Sequence, residues 1–147
     1  MIEFTTGVVF LLSSMYGAGA STAVAIATPQ ETTSELANMT VKIILQDRKA
    51  VEEYLRKEYA DTPILVEIAR CESTFSQFDK NGKVVRGRVD RDDIGVMQIN
   101  SRYHGETAEK LGFDIHTIEG NVSYAKYLYE KQGAKPWKAS SRCWAKA

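Results

Sequence analysis

The stretch Ile64–Phe75 constrains this chain most, because its pattern fits one kind of element and sets an ionisable group inside it. Leu65, Ile68, Ala69 and Phe75 recur at steps of three and four residues. That is the spacing of one apolar stripe on an α-helix. Thr62 suits an N-cap and Pro63 the first helical position, where a missing N–H costs nothing. Glu72 falls in the stripe, four residues after Ile68 and three before Phe75, whereas Glu67 and Arg70 fall on other faces. A carboxylate on the buried stripe of a helix loses solvation, so its pKa rises. A carboxyl group still protonated near neutral pH is what general acid catalysis needs. On the helix alone, the competing reading is a carboxylate at the edge of the stripe paired with an arginine, since structural ion pairs also perturb pKa values.

The 147 residues suit one domain. The formal net charge is zero and no Lys/Arg cluster marks a phosphate footprint, so nucleic acid is not an expected partner. The first 27 residues hold no Lys or Arg and one acid, Glu3. Within them an apolar run around Val8–Leu12 is followed by small residues ending Ala25-Ile26-Ala27. This predicts an export signal spanning 1–27 with cleavage after Ala27, the competing reading being an uncleaved membrane anchor. Gly, Ser and Thr interruptions make the run a poor membrane span. Residues 28–40 are polar and read as a flexible linker. The folded domain is expected over 41–147, with the apolar run Val41–Leu45 open to either strand or helix.

Asp47 caps an expected helix running to about Ala60, with Val51, Tyr54 and Leu55 inward and Lys49–Glu53 and Glu53–Lys57 pairs on its wet side. Asn81-Gly82 signals a two-residue hairpin turn, and Lys83–Val89 reads as a strand. Asp90-Arg91-Asp92-Asp93 is a charged turn, and Ile94–Asn100 an apolar segment with amides embedded in it. A short helix follows over His104–Leu111, stopped by Gly112. The last long helix spans Ile118–Gln132, with Ile118, Val122, Ala125, Leu128 and Tyr129 on one stripe and Gly133 as its stop. The expectation is a mainly α, α+β domain with a small β-hairpin beside the Glu72 helix.

Two cysteines, Cys71 and Cys143, permit one disulfide in an exported chain. It would tie the C-terminus to the Glu72 helix and close a loop of about 70 residues, worth roughly 4 kcal/mol in the loop-entropy treatment. Two buried thiols are the alternative. No metal site is expected, because His104 and His116 lack ligand spacing relative to the cysteines. Asp79-x-Asn81-Gly82 lacks the sixth-position Gly and twelfth-position Glu of a calcium loop, so a turn is the better reading. The Asp90/Asp92/Asp93 cluster is by default a solvated turn, or else a source of a second carboxylate opposite Glu72. Buried amides such as those of Gln98 and Asn100 must be hydrogen-bonded, and amides also suit sugar hydroxyl and N-acetyl groups.

Three separated motifs bear a family likeness. Cys71-Glu72-Ser73-Thr74-Phe75, then Gly95-Val96-Met97-Gln98-Ile99-Asn100, then Asn121-Val122 followed by Tyr127-Leu128, resemble the lytic transglycosylase (SLT) domain of the lysozyme-like superfamily over about Thr62–Trp144. Asp93–Tyr103 is also similar to a stretch of chicken-type lysozymes, with Asp93 where those enzymes keep their second carboxylate. Arg102-Tyr103-His104 is similar to goose-type lysozymes. The family's late Ala-Tyr-Asn motif is absent, so Tyr124 and Tyr127 stand as candidate cleft tyrosines. The resemblance implies a monomeric lysozyme-like domain that cleaves the β-1,4 bond between N-acetylmuramic acid and N-acetylglucosamine in peptidoglycan, without metal or cofactor. Glu72 would be the general acid and base, with Ser73, Met97, Gln98, Asn100 and Asn121 shaping the cleft. The alternatives are a hydrolytic muramidase using Glu72 with Asp93, and a non-catalytic glycan-binding protein on the same scaffold.

Overall fold

The computed structural model describes residues 46–146. The expected signal and linker, and the run Val41–Leu45, lie outside the described residues. The described part is mostly helical, with one small two-stranded sheet.

Helix α1 spans Arg48–Glu58. Asp47 caps it as expected, accepting the Lys49 N–H at 3.0 Å. Val51 and Leu55 are fully buried, and Tyr54 packs at the core's edge. Its wet face carries an Arg56–Glu52 pair at 2.6 Å rather than the expected Lys49–Glu53 and Glu53–Lys57 pairs. Exposed pairs of this kind contribute little, so sequence spacing alone does not select among them.

Helix α2 spans Ile64–Ser73. The helix starts one residue later than expected, with Pro63 rather than Thr62 at its N-cap, and no side chain caps it. The Thr62 hydroxyl instead donates to Asp61 Oδ1 at 3.0 Å. Leu65, Ile68 and Ala69 lie on the buried stripe. The helix ends where Thr74 and Phe75 both turn left-handed, with φ of 54° and 59°. For non-glycine residues each such conformation costs of order 1 kcal/mol or more. Burial of the Phe75 ring offsets that cost.

The chain then forms a long loop in place of the expected strand over Lys83–Val89. Single antiparallel bridges join Phe78 to Val84 and Arg86 to Ile94. Asp79 Oδ1 accepts the N–H groups of Asn81 and Lys83, so the turn at Asn81-Gly82 is organised by a carboxylate already used up. Asp79 N–H reaches the Lys83 carbonyl at 2.8 Å, which makes the loop three residues long rather than two. Val89 is fully exposed, so the Val85/Gly87/Val89 alternation does not define a buried face.

Strands β1 (Asp93–Ile94) and β2 (Ile99–Asn100) pair antiparallel, Asp93 opposite Asn100 and Ile94 opposite Ile99. The apolar segment Ile94–Asn100 therefore doubles back instead of running straight. Gly95 (φ 71°) and Gln98 (φ 49°) make the reversal. A Cβ on Gly95 would lie 2.5 Å from Gln77 Oε1 and 2.7 Å from Asn121 Nδ2, which leaves room there only for glycine.

Helix α3 spans Ser101–Lys110 and starts three residues earlier than expected, because Asn100 Oδ1 accepts from Arg102 and Tyr103 N–H as its N-cap. Helix α4 spans Ile118–Gln132, as the stripe predicts, capped by Thr117 and ended at Gly133. A 3₁₀ turn over Lys135–Ser140 and the short helix α5, Ser141–Trp144, complete the described chain. One core joins these elements, with Leu55, Ile68, Met97, Ile118, Val122 and Leu128 among its members. Burying each such side chain contributes about 1.5–3 kcal/mol.

Candidate active site

Glu72 stands at the last turn of α2, half-buried, one residue after a disulfide. The Cys71 and Cys143 sulfurs lie 2.01 Å apart and their Cα atoms 6.0 Å. The bridge pins α5 against the end of α2. Trp137, fully packed, donates its indole N–H to the Met97 carbonyl at 2.9 Å. The C-terminal segment is thereby fastened both to the Glu72 helix and to the β1–β2 hairpin.

A cleft of about 440 Å³ opens there. Its lining includes Glu72, Ser73, Val85, Arg86, Arg88 and Val89. Asp93 and Gln98 line it as well. Removal of Glu72 from water is the largest influence on its carboxyl group and raises its pKa; the nearby negative Asp93 raises it further, while a hydrogen bond from Ser140 works the other way. The Ser140 hydroxyl lies 2.6 Å from Glu72 Oε1. Among the described residues Glu72 Oε2 has no hydrogen-bond partner, and no buried side-chain oxygen is unpartnered. Oε2 therefore keeps contact with solvent.

Asp93 is held in place rather than left in a solvated turn. Asn100 Nδ2 donates to Asp93 Oδ1 at 2.8 Å and to Asp90 Oδ2 at 3.0 Å. Gly87 passes so close that an added Cβ would lie 3.1 Å from Asp93 Oδ2 and 2.2 Å from the Asp90 carbonyl. Asp92 pairs with Arg102 outside the cleft.

Of the sequence-predicted cleft residues, Glu72, Ser73, Asp93 and Gln98 come together. Ser73 also accepts the Ser76 N–H at 3.0 Å and donates to the Ala69 carbonyl at 3.3 Å, which closes the end of α2. Gln98 donates to the Gly95 carbonyl at 2.8 Å. Asn100 is spent on Asp90, Asp93 and the α3 cap. Met97, Asn121 and Tyr124 are buried and do not reach the cleft. Met97 packs in the core. Asn121 accepts the Met97 N–H and donates to the Ile94 and Ile115 carbonyls, all at 2.9 Å. Tyr124 places its hydroxyl 3.3 Å from His104 Nδ1. Tyr127 stacks on Tyr124 with ring centroids 5.7 Å apart, away from the cleft lining.

Four contributors escaped the sequence reading. Gln77 is fully buried and clamps the hairpin, accepting the Val96 N–H at 2.7 Å and donating to the His116 carbonyl at 3.1 Å. Ser140 carried no local signal. Arg86 and Arg88 were read as parts of a strand. No group of three or more His, Cys, Asp or Glu side chains among the described residues could hold a metal ion. No helix among them is long and apolar enough to cross a membrane. Comparison of the chain with protein-family models, curated proteins and solved structures finds no match.

Proposed function

We propose that this protein is an exported enzyme that cleaves the β-1,4 bond between N-acetylmuramic acid and N-acetylglucosamine in peptidoglycan, as a lytic transglycosylase on a lysozyme-like scaffold. The observation that carries the reading is Glu72, a desolvated carboxyl group with one oxygen fastened and the other open to a cleft. A protonated Glu72 gives its proton to the glycosidic oxygen as the C1–O bond breaks. The positive charge that develops at the sugar lies near Asp93. The 6-hydroxyl of the muramyl unit then attacks C1 and returns its proton to Glu72, closing a 1,6-anhydro ring. The step needs no metal or cofactor. Arg86 and Arg88 suit the carboxylates of a muramyl substrate, and the exposed Val89 suits a sugar-ring face.

Asp93 favours a second reading. It shares the cleft and is close enough to influence Glu72, so water in place of the 6-hydroxyl would make the protein a hydrolytic muramidase. Mass spectrometry of muropeptides released from purified peptidoglycan separates the two. Anhydro-muramyl ends support the transglycosylase. Reducing ends alone would replace it with the hydrolase, and no release at all would leave a non-catalytic glycan-binding protein as the surviving reading.

A further inference from the structure

Ser140 lies far from Glu72 in sequence and outside every recognised motif, yet it is the one protein side chain hydrogen-bonded to that carboxyl group among the described residues. A serine hydroxyl has one proton to give and two lone pairs to receive with. Ser140 Oγ has three neighbours: Glu72 Oε1 at 2.6 Å, the Trp137 carbonyl at 3.0 Å and Trp144 Nε1 at 3.0 Å. The indole N–H can only donate. It also lies 3.1 Å from the Trp137 carbonyl, so that carbonyl has a donor without Ser140. The single serine proton is thus released toward Glu72 Oε1. The Cys71–Cys143 bridge fixes the helix that carries Trp144 to the residue preceding Glu72.

Resting on the functional reading above, we propose that Ser140 is a positioning residue for the reaction: held by Trp144, it occupies Glu72 Oε1, so that the transferable proton sits on Oε2, facing the cleft. In the acid form Ser140 donates to Oε1 while Oε2–H is presented to the glycosidic oxygen. After transfer, Ser140 still donates to Oε1 of the carboxylate, so the group keeps one orientation through both halves of the cycle. No other proton moves. Without Ser140 the carboxyl group can rotate, and the proton can settle on the oxygen that faces the protein.

Charged groups line the cleft beside Glu72. Asp93 comes from β1, and Arg86 and Arg88 from the loop. On α2 itself Arg70 is paired with Glu67 at 2.8 Å. The C-terminal segment presents the neutral Ser140. Ser140 is uncharged and hydrogen-bonded to Glu72, so replacing it leaves those surrounding charges in place.

The test compares full-length wild type, Ser140→Ala and Ser140→Thr. With peptidoglycan as substrate, Ser140→Ala is expected to lower kcat by about tenfold or more with KM little changed, the pattern of a group acting through another. Its pH–rate profile moves to higher pH, because a hydrogen bond that favours the carboxylate is gone. Ser140→Thr, which keeps the hydroxyl, restores the profile. A change in KM with the profile in place, or no change at all, overturns the proposal. The Glu72 carboxyl carbon, followed by NMR in protein without substrate, gives a reading independent of turnover. Its titration rises in Ser140→Ala and returns in Ser140→Thr if Ser140 acts on Glu72. An unchanged titration overturns the role even if the enzyme is active. A changed titration in a protein that cleaves nothing upholds the contact and removes the functional reading instead.

Discussion

Replacing Asn121 by Ala asks whether that residue is a cleft amide or a core clamp. Asn121 is fully buried and makes three hydrogen bonds of 2.9 Å: from the Met97 N–H, and to the carbonyls of Ile94 and Ile115. Alanine removes all three partners in a space from which water is excluded. Each unpaired backbone group costs about 1–3 kcal/mol. The two carbonyls belong at the low end, since each keeps a second lone pair. Three groups at the low end sum to about 3 kcal/mol. For a domain of about 100 residues each kcal/mol lowers Tm by about 4–8 °C, so the variant should melt at least about 12 °C below wild type. Urea unfolding should show the same loss with an unchanged slope. Asn121→Asp is a control: it keeps the bond from Met97 but sets an oxygen against two carbonyl oxygens, and should be no more stable than the alanine variant. Under conditions where both proteins are folded, Asn121→Ala should leave KM for glycan near the wild-type value. A stability loss below about 1 kcal/mol, together with a raised KM, would refute the clamp and return Asn121 to the cleft.

Three further outcomes follow from the same geometry. Burial raises the Glu72 pKa, so between its unfolded and folded values the folded state holds more protons, and stability falls as pH rises through that window. Glu72→Gln should accordingly be more stable than wild type at pH 7, with the difference gone well below the ordinary value of 4.5; equal differences at both pH values in urea unfolding would contradict this. Replacing Cys71 and Cys143 together by Ser opens a loop spanning a separation of 72 residues and should cost about 4 kcal/mol in chemical denaturation, while a loss under about 1 kcal/mol would show that the bridge closes nothing. Gly95→Ala combines a left-handed φ with contacts of 2.5 and 2.7 Å to two buried amides, so a loss above about 2 kcal/mol is expected, and a Tm within 2–3 °C of wild type, roughly the effect of half a kcal/mol, would show that the hairpin relaxes freely.

The legible parts of the fold were those whose signals are local. The Ile118–Gln132 stripe and its Gly133 stop define α4 to the residue. Asp47 reads as a cap from its position alone, and two cysteines leave one pairing. Glu72 was legible because an acid on an apolar stripe is a local contradiction. What failed depends on partners distant in sequence. Ile94–Asn100 looks like a continuous strand until Gln77 and Asn121, 19 and 24 residues from the N–H groups they accept, bend it into a hairpin. The same clamping explains why Asn121 and Met97 resemble cleft residues by motif but lie in the core. The amides of Gln98 and Asn100 stand out in the sequence as embedded polar groups, yet among the described residues the fully buried polar side chains are Gln77 and Asn121. Ser140 was illegible because its role exists only after the disulfide and Trp144 fold the tail onto α2. Lys83–Val89 alternates like a strand, but among the described residues its only ladder partners are single residues on either side.

The central claim is that Glu72 is the proton donor for glycosidic cleavage, and turnover of purified peptidoglycan by Glu72→Gln tests it most directly. Gln can still accept from Ser140 and is expected to keep the fold, as near-ultraviolet circular dichroism would verify. Loss of general acid–base catalysis typically costs 10²–10⁴-fold, so muropeptide release should fall by about 10³ while glycan binding is retained. Release by folded Glu72→Gln at the wild-type rate would contradict the account.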